Sequence, residues 1–293
     1  MKKRQSLAEH LGQGFINLFM IAFLVVTLYP LLHVLFASIS EPSQLVAHRG
    51  LILAPLGFSL QPFEYLFRNQ YILSGLSNSA LYILGGVSVN IVMTAIAAYV
   101  LSKRYAKLTK FFTMFIIFTM LFSGGLVPLY LTIRGFGMYN SYTSLIIPFA
   151  ISTFNLIILR TAFEGVPVSL DESARIDGAG HFTILFKITM PLVMPMIAVI
   201  ILYYALDRWN GWFFASIFLK DKELFPIQVI LRELLIDGDN GATMAGNDNA
   251  DLMMLSQSIR YAGIVIGTLP VLFFYPFLQR YFVKGALSGA IKE

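Results

Sequence analysis

The sequence predicts an all-α integral membrane protein with six transmembrane helices and both termini in the cytoplasm. Its mean hydropathy is +0.73 and only 13% of its 293 residues are charged, which is far from the composition of soluble proteins. Six apolar runs are long enough to cross a hydrocarbon core of about 30 Å, which takes roughly 20 helical residues. Lysine and arginine are concentrated on alternate connections between these runs, which predicts the orientation.

The first apolar run, Phe15 to Ile39, follows Lys2, Lys3 and Arg4, as the apolar part of a secretory signal also would. Such a part has only roughly 7–15 residues, and no clear cleavage site follows this longer run, so we predict a retained span. Polar or charged residues bound the other five predicted spans. They cover Ser79–Leu101, Phe111–Ile133, Tyr142–Phe163, Leu192–Leu219 and Tyr261–Val283.

The distribution of charge predicts which connections face the cytoplasm. With the N-terminus inside, thirteen of the 21 lysine and arginine residues and six of the 16 acidic residues lie on the inner side. We expect a cytoplasmic segment (1–14), a six-helix transmembrane domain (15–283) with a cytoplasmic loop (164–191), and a cytoplasmic tail (284–293). The net charge of +5 then reflects topology, and we expect no nucleic-acid partner.

Several kinds of catalytic site are excluded. The chain has no cysteine, which removes disulfides, thiolate metal sites and cysteine nucleophiles. It contains no G-x-x-x-x-G-K-[ST] phosphate loop, no H-E-x-x-H and no G-x-S-x-G. We therefore expect that it is not an enzyme and that it holds no metal or cofactor itself. If transport is driven by nucleotide, the hydrolysis takes place on another polypeptide.

The predicted inner loop contains the polar stretch DESARIDGAGHFTILFKITMP (171–191) within an apolar chain. Ser169 stands three residues before Glu172, the spacing of a capping box, which predicts a short helix from Leu170 to about Ile176. Asp171 in its first turn suits the positive end of the helix dipole. By capping alone, this helix is equally well interpreted as a connector without any partner.

Glycines and prolines predict how the loop continues. Gly178 and Gly180 allow the sharp turn that ends the first helix. A second helix, about His181 to Met190, then leads through Pro191 and Pro195 into the fifth span.

This stretch resembles the EAA loop of ABC-importer permeases, through which a membrane subunit contacts its ATP-hydrolysing partner. The family pattern is E-A-A-x-x-x-G followed, nine residues later, by I-x-L-P. The matching residues are Glu172, Ser173 and Ala174, then Asp177, Gly178 and Ala179, then Ile188, Thr189, Met190 and Pro191. Ser173 replaces an alanine and Met190 a leucine, and both keep the small or apolar character.

The resemblance extends over nearly the whole chain. The stretch DRWNGWFFASIFL (207–219) is similar to the W-N-x-F region of carbohydrate permeases. The end, YPFLQRYFVKGALSGAIKE, is similar to that of the maltose-type second permease. The similarity is closest to the branch that handles complex oligosaccharides, including alginate- and pectin-derived ones.

The resemblance implies a type I ABC-importer permease fold in the bacterial plasma (inner) membrane. Expected partners are a homologous second permease, two ATP-binding subunits carrying ATP and Mg²⁺, and an extracytoplasmic solute-binding protein. The expected substrate is an oligosaccharide, with alginate- or other uronate-derived chains as candidates. The residues implied in ATPase coupling are Ser169, Asp171, Glu172, Ser173, Ala174, Asp177, Gly178, Ala179, Ile188 and Pro191.

Within that loop, small, apolar and charged side chains are candidates for contact with the ATPase. Ala174, Ile176 and Ala179 would supply small or apolar contacts, and Glu172 and Arg175 would pair with charges of the partner. For Glu172, a capping role without a partner is an equal alternative.

The fifth span contains the candidates for the translocation path. Asp207 and Arg208 lie within this apolar run, where charged residues usually face protein or water. Trp209, Asn210 and Trp212 follow them and suit ring stacking and hydrogen bonding to a sugar. The alternatives are an Asp207–Arg208 ion pair that fixes helix packing and a tryptophan belt at the membrane interface.

A break is predicted in the third span at Ser123, Gly124 and Gly125, with Pro128 beyond it. It is interpreted either as part of a gate along the path or as a static kink. Three asparagines within or beside spans are predicted to form interhelical hydrogen bonds. They are Asn78, Asn90 and Asn155.

Two outer segments and the tail complete the predictions. PFEYLFRNQYI (62–72) is predicted to form an interfacial helix, and the polar stretch 237–251 a mobile loop. The tail 279–293 either reaches the ATPase or is a disordered terminus. Alternatives to the importer are a stand-alone secondary transporter or channel, a membrane-embedded enzyme, and a purely structural subunit.

Overall fold

The computed structural model describes residues 7–103, 108–244, 255–273 and 275. All regular elements in these ranges are helical, and none of the described residues forms a β-strand. The helices are α1 (Leu7–Ser38), α2 (Pro42–Ala47), α3 (Gln61–Arg68), α4 (Gln70–Ser102), α5 (Thr109–Leu121), α6 (Leu126–Gly135), α7 (Thr143–Ile146), α8 (Thr153–Glu164), α9 (Val168–Ile176), α10 (His181–Thr183), α11 (Met190–Leu192), α12 (Met194–Trp209), α13 (Trp212–Phe218), α14 (Ile227–Met244) and α15 (255–273). A π-helical turn, Ile184–Thr189, joins α10 to α11, and a 3₁₀ turn lies at Lys222–Leu224.

Two single helices of the described residues are long and apolar enough to cross a membrane, Leu11–Ser38 within α1 and the whole of α4. The third predicted span is a bent pair instead, and the fifth is divided between α12 and α13. α5 and α6 meet at 112°, and the helical segment His181–Leu192 meets α12 at 90°. The predicted fourth span is divided between α7 and α8. By length and composition, the described residues thus provide two spans, or four if each bent pair is one span.

Each break has a local cause. The predicted interruption of the third span is confirmed, since residues 122–125 are not helical and Gly125 has a φ of +87°, a value that favours glycine. The gap between α7 and α8 contains Pro148, which has no N–H to donate to a helix. At the 90° bend, Pro191 and Pro195 lie on either side of Val193 and remove two helical donors.

The described residues within 7–69 and 231–268 belong to one compact unit. Its buried core consists of Ala37, Leu45 and Ile52, with Tyr261 packed against it. The hydroxyl of Tyr29 accepts a hydrogen bond from the backbone N–H of Ile52 at 3.2 Å. The most apolar window of α1 has no buried residue, as expected for a helix whose surroundings are lipid or another subunit.

The described residues within 70–230 and 269–275 belong to the second unit. In it α4 packs along both α8 and α12. The buried core of these three helices includes Ala95, Ala98, Leu159 and Ile200, none of which is exposed. This core also contains Ala174 of α9, so it ties the predicted inner loop to the long helices.

The predicted outer segments agree with the structure only in part. α3 confirms a helix at 61–68, where PFEYLFRNQYI begins. α14 continues to Met244, so the first half of the predicted mobile loop at 237–251 is helical instead. Residues 245–251 and the tail 279–293 lie outside the described residues.

Candidate functional site

The inner loop forms a helix, a glycine turn and a second helical segment, as the sequence predicts. α9 ends at Ile176, and Gly178 follows with a φ of +80°. The N–H of Gly178 bonds to the carbonyl of Arg175 at 3.0 Å, and that of Ala179 to the carbonyl of Ala174 at 2.9 Å. These two bonds form a Schellman motif, which satisfies carbonyls that the end of a helix leaves free.

The predicted capping box is wrong. α9 begins at Val168, with Pro167 as its N-cap residue, and that cap has no side-chain hydrogen bond. Ser169 therefore lies inside the first turn and not at the cap. Because proline fixes φ near the helical value, Pro167 starts the helix two residues earlier than the Ser169–Glu172 spacing indicates.

A small charge cluster holds α9 against the end of α4. The Nζ of Lys103 donates to Oδ1 of Asp171 at 2.7 Å, and Nη2 of Arg175 lies 3.3 Å from Oδ2. The hydroxyl of Tyr99 also donates to Oδ1, at 3.3 Å. The side chains of Lys103 and Asp171 are only 16% and 12% exposed. Asp171 is thus a bridge between two helices.

These contacts determine the ionisation of Asp171. Partial burial of its carboxyl acts to raise its pKa. The hydrogen bond and charge of Lys103, the charge of Arg175 and the hydrogen bond from Tyr99 outweigh that effect. The pKa of Asp171 therefore lies below its ordinary value, and the carboxylate is charged at neutral pH.

Ala174 and the half-buried Ala179 pack against the core of the protein. Ala174 is 7% exposed and belongs to the same buried core as Ile184 and Leu185, and Ala179 packs against that core. Contact of these two alanines with the ATPase stays a prediction. Their small size lets α9 and the glycine turn lie close to the second helical segment.

The opposite side of α9 is exposed. Ser169, Glu172, Ser173 and Ile176 are all accessible, at the i, i+3, i+4 and i+7 spacing of one helix face. Ile176 is the most exposed large apolar residue here, at 86%. We call these four residues the outer face of α9. Asp177 and Gly178 beside it are exposed as well.

The second helical segment carries the loop directly into α12. Ile184, Leu185 and Thr189 are buried, and Ile188 packs against the core, whereas Pro191 is exposed. Its π-helical turn is not evident from the sequence. Such turns rotate the faces of a helix, and they are frequent at functional sites.

Within the long helices, Arg208 is held by a buried polar network and not by Asp207. Its guanidinium donates to the carbonyls of Leu145 and Phe149, the latter at 3.0 Å, and to Oδ1 of Asn90 at 3.2 Å. These two carbonyls flank Pro148, where the helix is interrupted. Asp207 is exposed and forms no ion pair with Arg208. The predicted Asp207–Arg208 pair is therefore wrong.

Two further contacts join α4 and α12. The hydroxyl of Tyr204 lies 2.7 Å from Oγ1 of Thr94 and also accepts from the N–H of Ser152 at 3.0 Å. Gly86 approaches Arg208 so closely that a Cβ there would lie 3.0 Å from its Nε. Sequence reasoning missed Thr94, Tyr204 and Gly86, because neither residue type nor spacing indicates their partners.

The three asparagines differ in their contacts. Nδ2 of Asn90 donates to the carbonyls of Phe149 and Ala150, and Nδ2 of Asn78 to those of Glu223 and Phe225. These contacts confirm interactions across segments, although the acceptors are loop carbonyls. Asn155 does not follow the prediction, since its buried Oδ1 has no hydrogen-bond partner among the described residues.

The other candidates for the path lie apart from one another. Trp209 is buried at 8% exposure, whereas Asp207 and Asn210 are exposed near the end of α12. Trp212 contacts Phe213 edge to face beyond the helix break. Gly124 and Gly125 are exposed in the bend between α5 and α6. Only Asp207 and Asn210 share an accessible helix face, together with Tyr203.

Among the described residues, no group of three or more histidine, aspartate or glutamate side chains is placed to hold a metal ion. Most of the buried polar groups described above bind one another or the backbone instead. The arrangement is suited to joining helices and presenting a surface.

Comparison with known proteins agrees with this arrangement. The family model described as "binding-protein-dependent transport system inner membrane component" matches residues 90–287. The polygalacturonan/rhamnogalacturonan transport system permease protein YtcP of Bacillus subtilis (strain 168) is 39% identical, over 94% of this chain and 96% of its own. Protein LplC of the same strain is 37% identical, over 91% and 90%.

A solved structure is also similar. It is a crystal structure of a bacterial ABC transporter involved in the import of the acidic polysaccharide alginate. The match has a TM-score of 0.86 and 28% sequence identity, and covers 96% of this chain and 100% of that chain. The similarity therefore extends over both compact units of the chain.

Proposed function

We propose that this chain, which belongs to the family of binding-protein-dependent transport system inner membrane components, is the permease subunit of an ATP-driven importer of oligosaccharides. Its relatives support the substrate class, since they are described as handling polygalacturonan, rhamnogalacturonan or alginate. Uronate-rich oligosaccharides are the candidates that these names share. The family membership does not favour a stand-alone secondary transporter or channel.

The proposed topology has six spans, with both termini and the loop 164–191 in the cytoplasm. Residues 15–283 form the transmembrane domain, between a cytoplasmic segment (1–14) and a tail (284–293). The charge bias supports this orientation. The exposed apolar surfaces of α1 and α5 are consistent with helices that face lipid or a second permease.

The observation that carries the proposal is that α9 is firmly seated on one side and free on the other. Its inner side is held by the Lys103–Asp171 ion pair and by the burial of Ala174. Its outer face is exposed within the described part of the chain, and the apolar side chain of Ile176 at its tip is 86% exposed. We propose that this face docks in a groove of an ATP-binding subunit, which supplies ATP and Mg²⁺.

The rest of the assembly follows from the same proposal. A homologous second permease completes the path, a second ATP-binding subunit docks there, and an extracytoplasmic solute-binding protein delivers the oligosaccharide. For the path itself, the exposed face of α12 is the favoured lining. Tyr203, Asp207 and Asn210 on that face combine an aromatic ring with hydrogen-bonding groups.

The docking proposal is tested by Ile176→Asp, with Leu53→Asp as the matched control. The side chains of Leu53 and Ile176 are 72% and 86% exposed, so neither substitution should unfold the chain. A docking residue near the centre of an interface contributes about 2 kcal/mol or more, which is about a thirtyfold loss of affinity. We expect Ile176→Asp alone to lose the co-purifying ATPase. Equal recovery of the ATPase with both variants would refute docking through α9.

The substrate class is tested separately. The complete importer, with its solute-binding protein, is assayed for stimulation of ATP hydrolysis by uronate oligosaccharides and by neutral oligosaccharides of the same length. We expect stimulation by the uronate series. If only neutral sugars stimulate, the substrate proposal is wrong while the docking proposal stands.

A further inference from the structure

A cavity of about 640 Å³ opens in the second unit, beside the ends of three helices. It lies between the end of α4, the start of α5 and the end of α8. Among the described residues, three cationic side chains line it, Lys103, Lys110 and Arg160, against one carboxylate, Glu164. Of the residues that line it, only Lys103 also takes part in the contacts described for the loop.

The ion pairs of the cavity leave an excess of positive charge. Nη2 of Arg160 lies 2.8 Å from Oε1 of Glu164, and Lys103 is paired with Asp171 at 2.7 Å. Lys110 is exposed and forms no ion pair with any described residue. An anion that enters would therefore meet Lys110, which has no carboxylate partner among the described residues. It would also meet Lys103 and Arg160, which retain N–H groups that are not used in their ion pairs.

The cavity is amphiphilic. Beside the cations, its wall is formed by Leu101, Met114 and Ile117, and the last two are 67% and 39% exposed. Met114 and Ile117 are three residues apart on α5, a helix with no buried residue. An apolar strip therefore runs from the cationic pocket along the outside of α5.

The position along the helices favours a lipid ligand. α4 has 33 residues and is roughly 50 Å long at about 1.5 Å per residue, longer than a bilayer with its headgroups, which is roughly 40–45 Å thick. Its last residues, Leu101–Ser102, and the adjacent Lys103 therefore lie at or beyond the level of the headgroups. Pockets with basic residues between spans at that level are suited to anionic headgroups.

We propose that this cavity binds an anionic phospholipid, with the phosphate near Lys110 and Arg160 and an acyl chain along the apolar strip of α5. The inference needs the chain to lie in a membrane, and it does not depend on the transported substrate. Because α8 leads through Pro167 into α9, the lipid would contact the helix that supports the inner loop.

The experiment is a lipid titration of the purified full-length chain, with the subunits that accompany it, followed by native mass spectrometry. The probes are dioleoylphosphatidylglycerol and dioleoylphosphatidylcholine. Lys110→Gln removes the unmatched charge, and Lys110→Arg retains it. Lys187→Gln is the matched control, because Lys187 is an exposed lysine that does not line the cavity.

We expect tighter binding of phosphatidylglycerol than of phosphatidylcholine. A lysine near a headgroup contributes about 1 kcal/mol, so Lys110→Gln should weaken phosphatidylglycerol binding about fivefold. Lys110→Arg should restore it, and Lys187→Gln should leave it unchanged. Circular dichroism of each variant checks that the helices are intact.

Three results would overturn the inference. Equal binding of both lipids would show that charge is not recognised. Equal losses in Lys110→Gln and Lys187→Gln would show general attraction to a basic surface. Displacement of phosphatidylglycerol by inorganic phosphate or by its deacylated headgroup, at concentrations like those of the lipid, would mean that the pocket binds a soluble anion and not a lipid.

Discussion

Asp171→Asn should loosen α9 from the end of α4. The variant keeps the shape of the side chain but removes the charge that Lys103 and Arg175 share at 2.7 and 3.3 Å. A hydrogen bond to a charged group contributes about 1.5–3 kcal/mol, and an exposed ion pair about 0.2–1 kcal/mol. Asparagine still accepts from Lys103, so we expect a loss of about 1–2 kcal/mol, which is a factor of roughly 5–30 in the opening equilibrium.

Hydrogen exchange of peptides that cover residues 168–180 measures this effect, since local opening determines the exchange of their amides. The matched control is Asp177→Asn, the same chemical change at the exposed end of α9. We expect faster exchange of the loop in Asp171→Asn and no change in Asp177→Asn. Identical exchange in both variants would refute the interpretation that Asp171 anchors the loop.

The pH dependence provides a second test of the same anchor. Because the pKa of Asp171 is lowered in the folded chain, its contribution is complete above the ordinary aspartate pKa of about 4. The contribution is lost as the pH falls through the lowered value. After correction for intrinsic exchange, the wild-type loop should be equally protected from pH 5 to 8. It should approach the exchange of Asp171→Asn only at more acidic pH.

Two pairs of neighbouring glycines test the backbone and the polar network. Gly86→Ala places a Cβ 3.0 Å from Nε of Arg208, whereas Gly85→Ala meets its nearest neighbour at 3.6 Å. Overpacking at Gly86→Ala should lower the free energy of unfolding by about 1–3 kcal/mol. We therefore expect a lower melting temperature in detergent for Gly86→Ala alone. Equal melting temperatures of the two variants would contradict this. A Cβ at Gly178 would meet no neighbouring atom, but the φ of +80° at this position costs an alanine about 1–2 kcal/mol. Gly180 has a φ of −74°, which alanine adopts without this cost. Limited proteolysis should therefore be faster in the loop of Gly178→Ala than in that of Gly180→Ala, and equal rates would refute the strain argument.

Features that depend on local chemistry were predictable from the sequence. The break at Gly125 and the turn at Gly178 were predicted correctly, because a positive φ is specific to few residue types. The start of α9 was misplaced, because the capping pattern at Ser169 competed with Pro167 and the proline determined the start. A pattern of four residues does not indicate which of two start signals is used.

Features that depend on tertiary contacts were not predictable. The anchor of α9 joins Lys103 and Asp171, 68 positions apart, and no spacing rule relates them. Likewise, Arg208 and Asp207 are adjacent in sequence, so an ion pair between them was one of the alternatives considered. Arg208 donates to the carbonyls of Leu145 and Phe149 instead of pairing with Asp207. These carbonyls are available as acceptors because the helix is interrupted at Pro148, between α7 and α8.

The contacts of α9 also determine how a force on its outer face would travel. α9 is joined to α12 covalently, through the helical segment 181–192, and to α4 through Lys103 and Asp171. Further along, α4 and α12 are joined again, by Thr94 and Tyr204 at 2.7 Å and by Asn90 and Arg208. Because α9 is attached both to α12 and to α4, it can move without α4 only if the Lys103–Asp171 pair opens. While that pair is intact, displacement of α9 moves α4 and α12 together, which is what coupling to a separate motor requires.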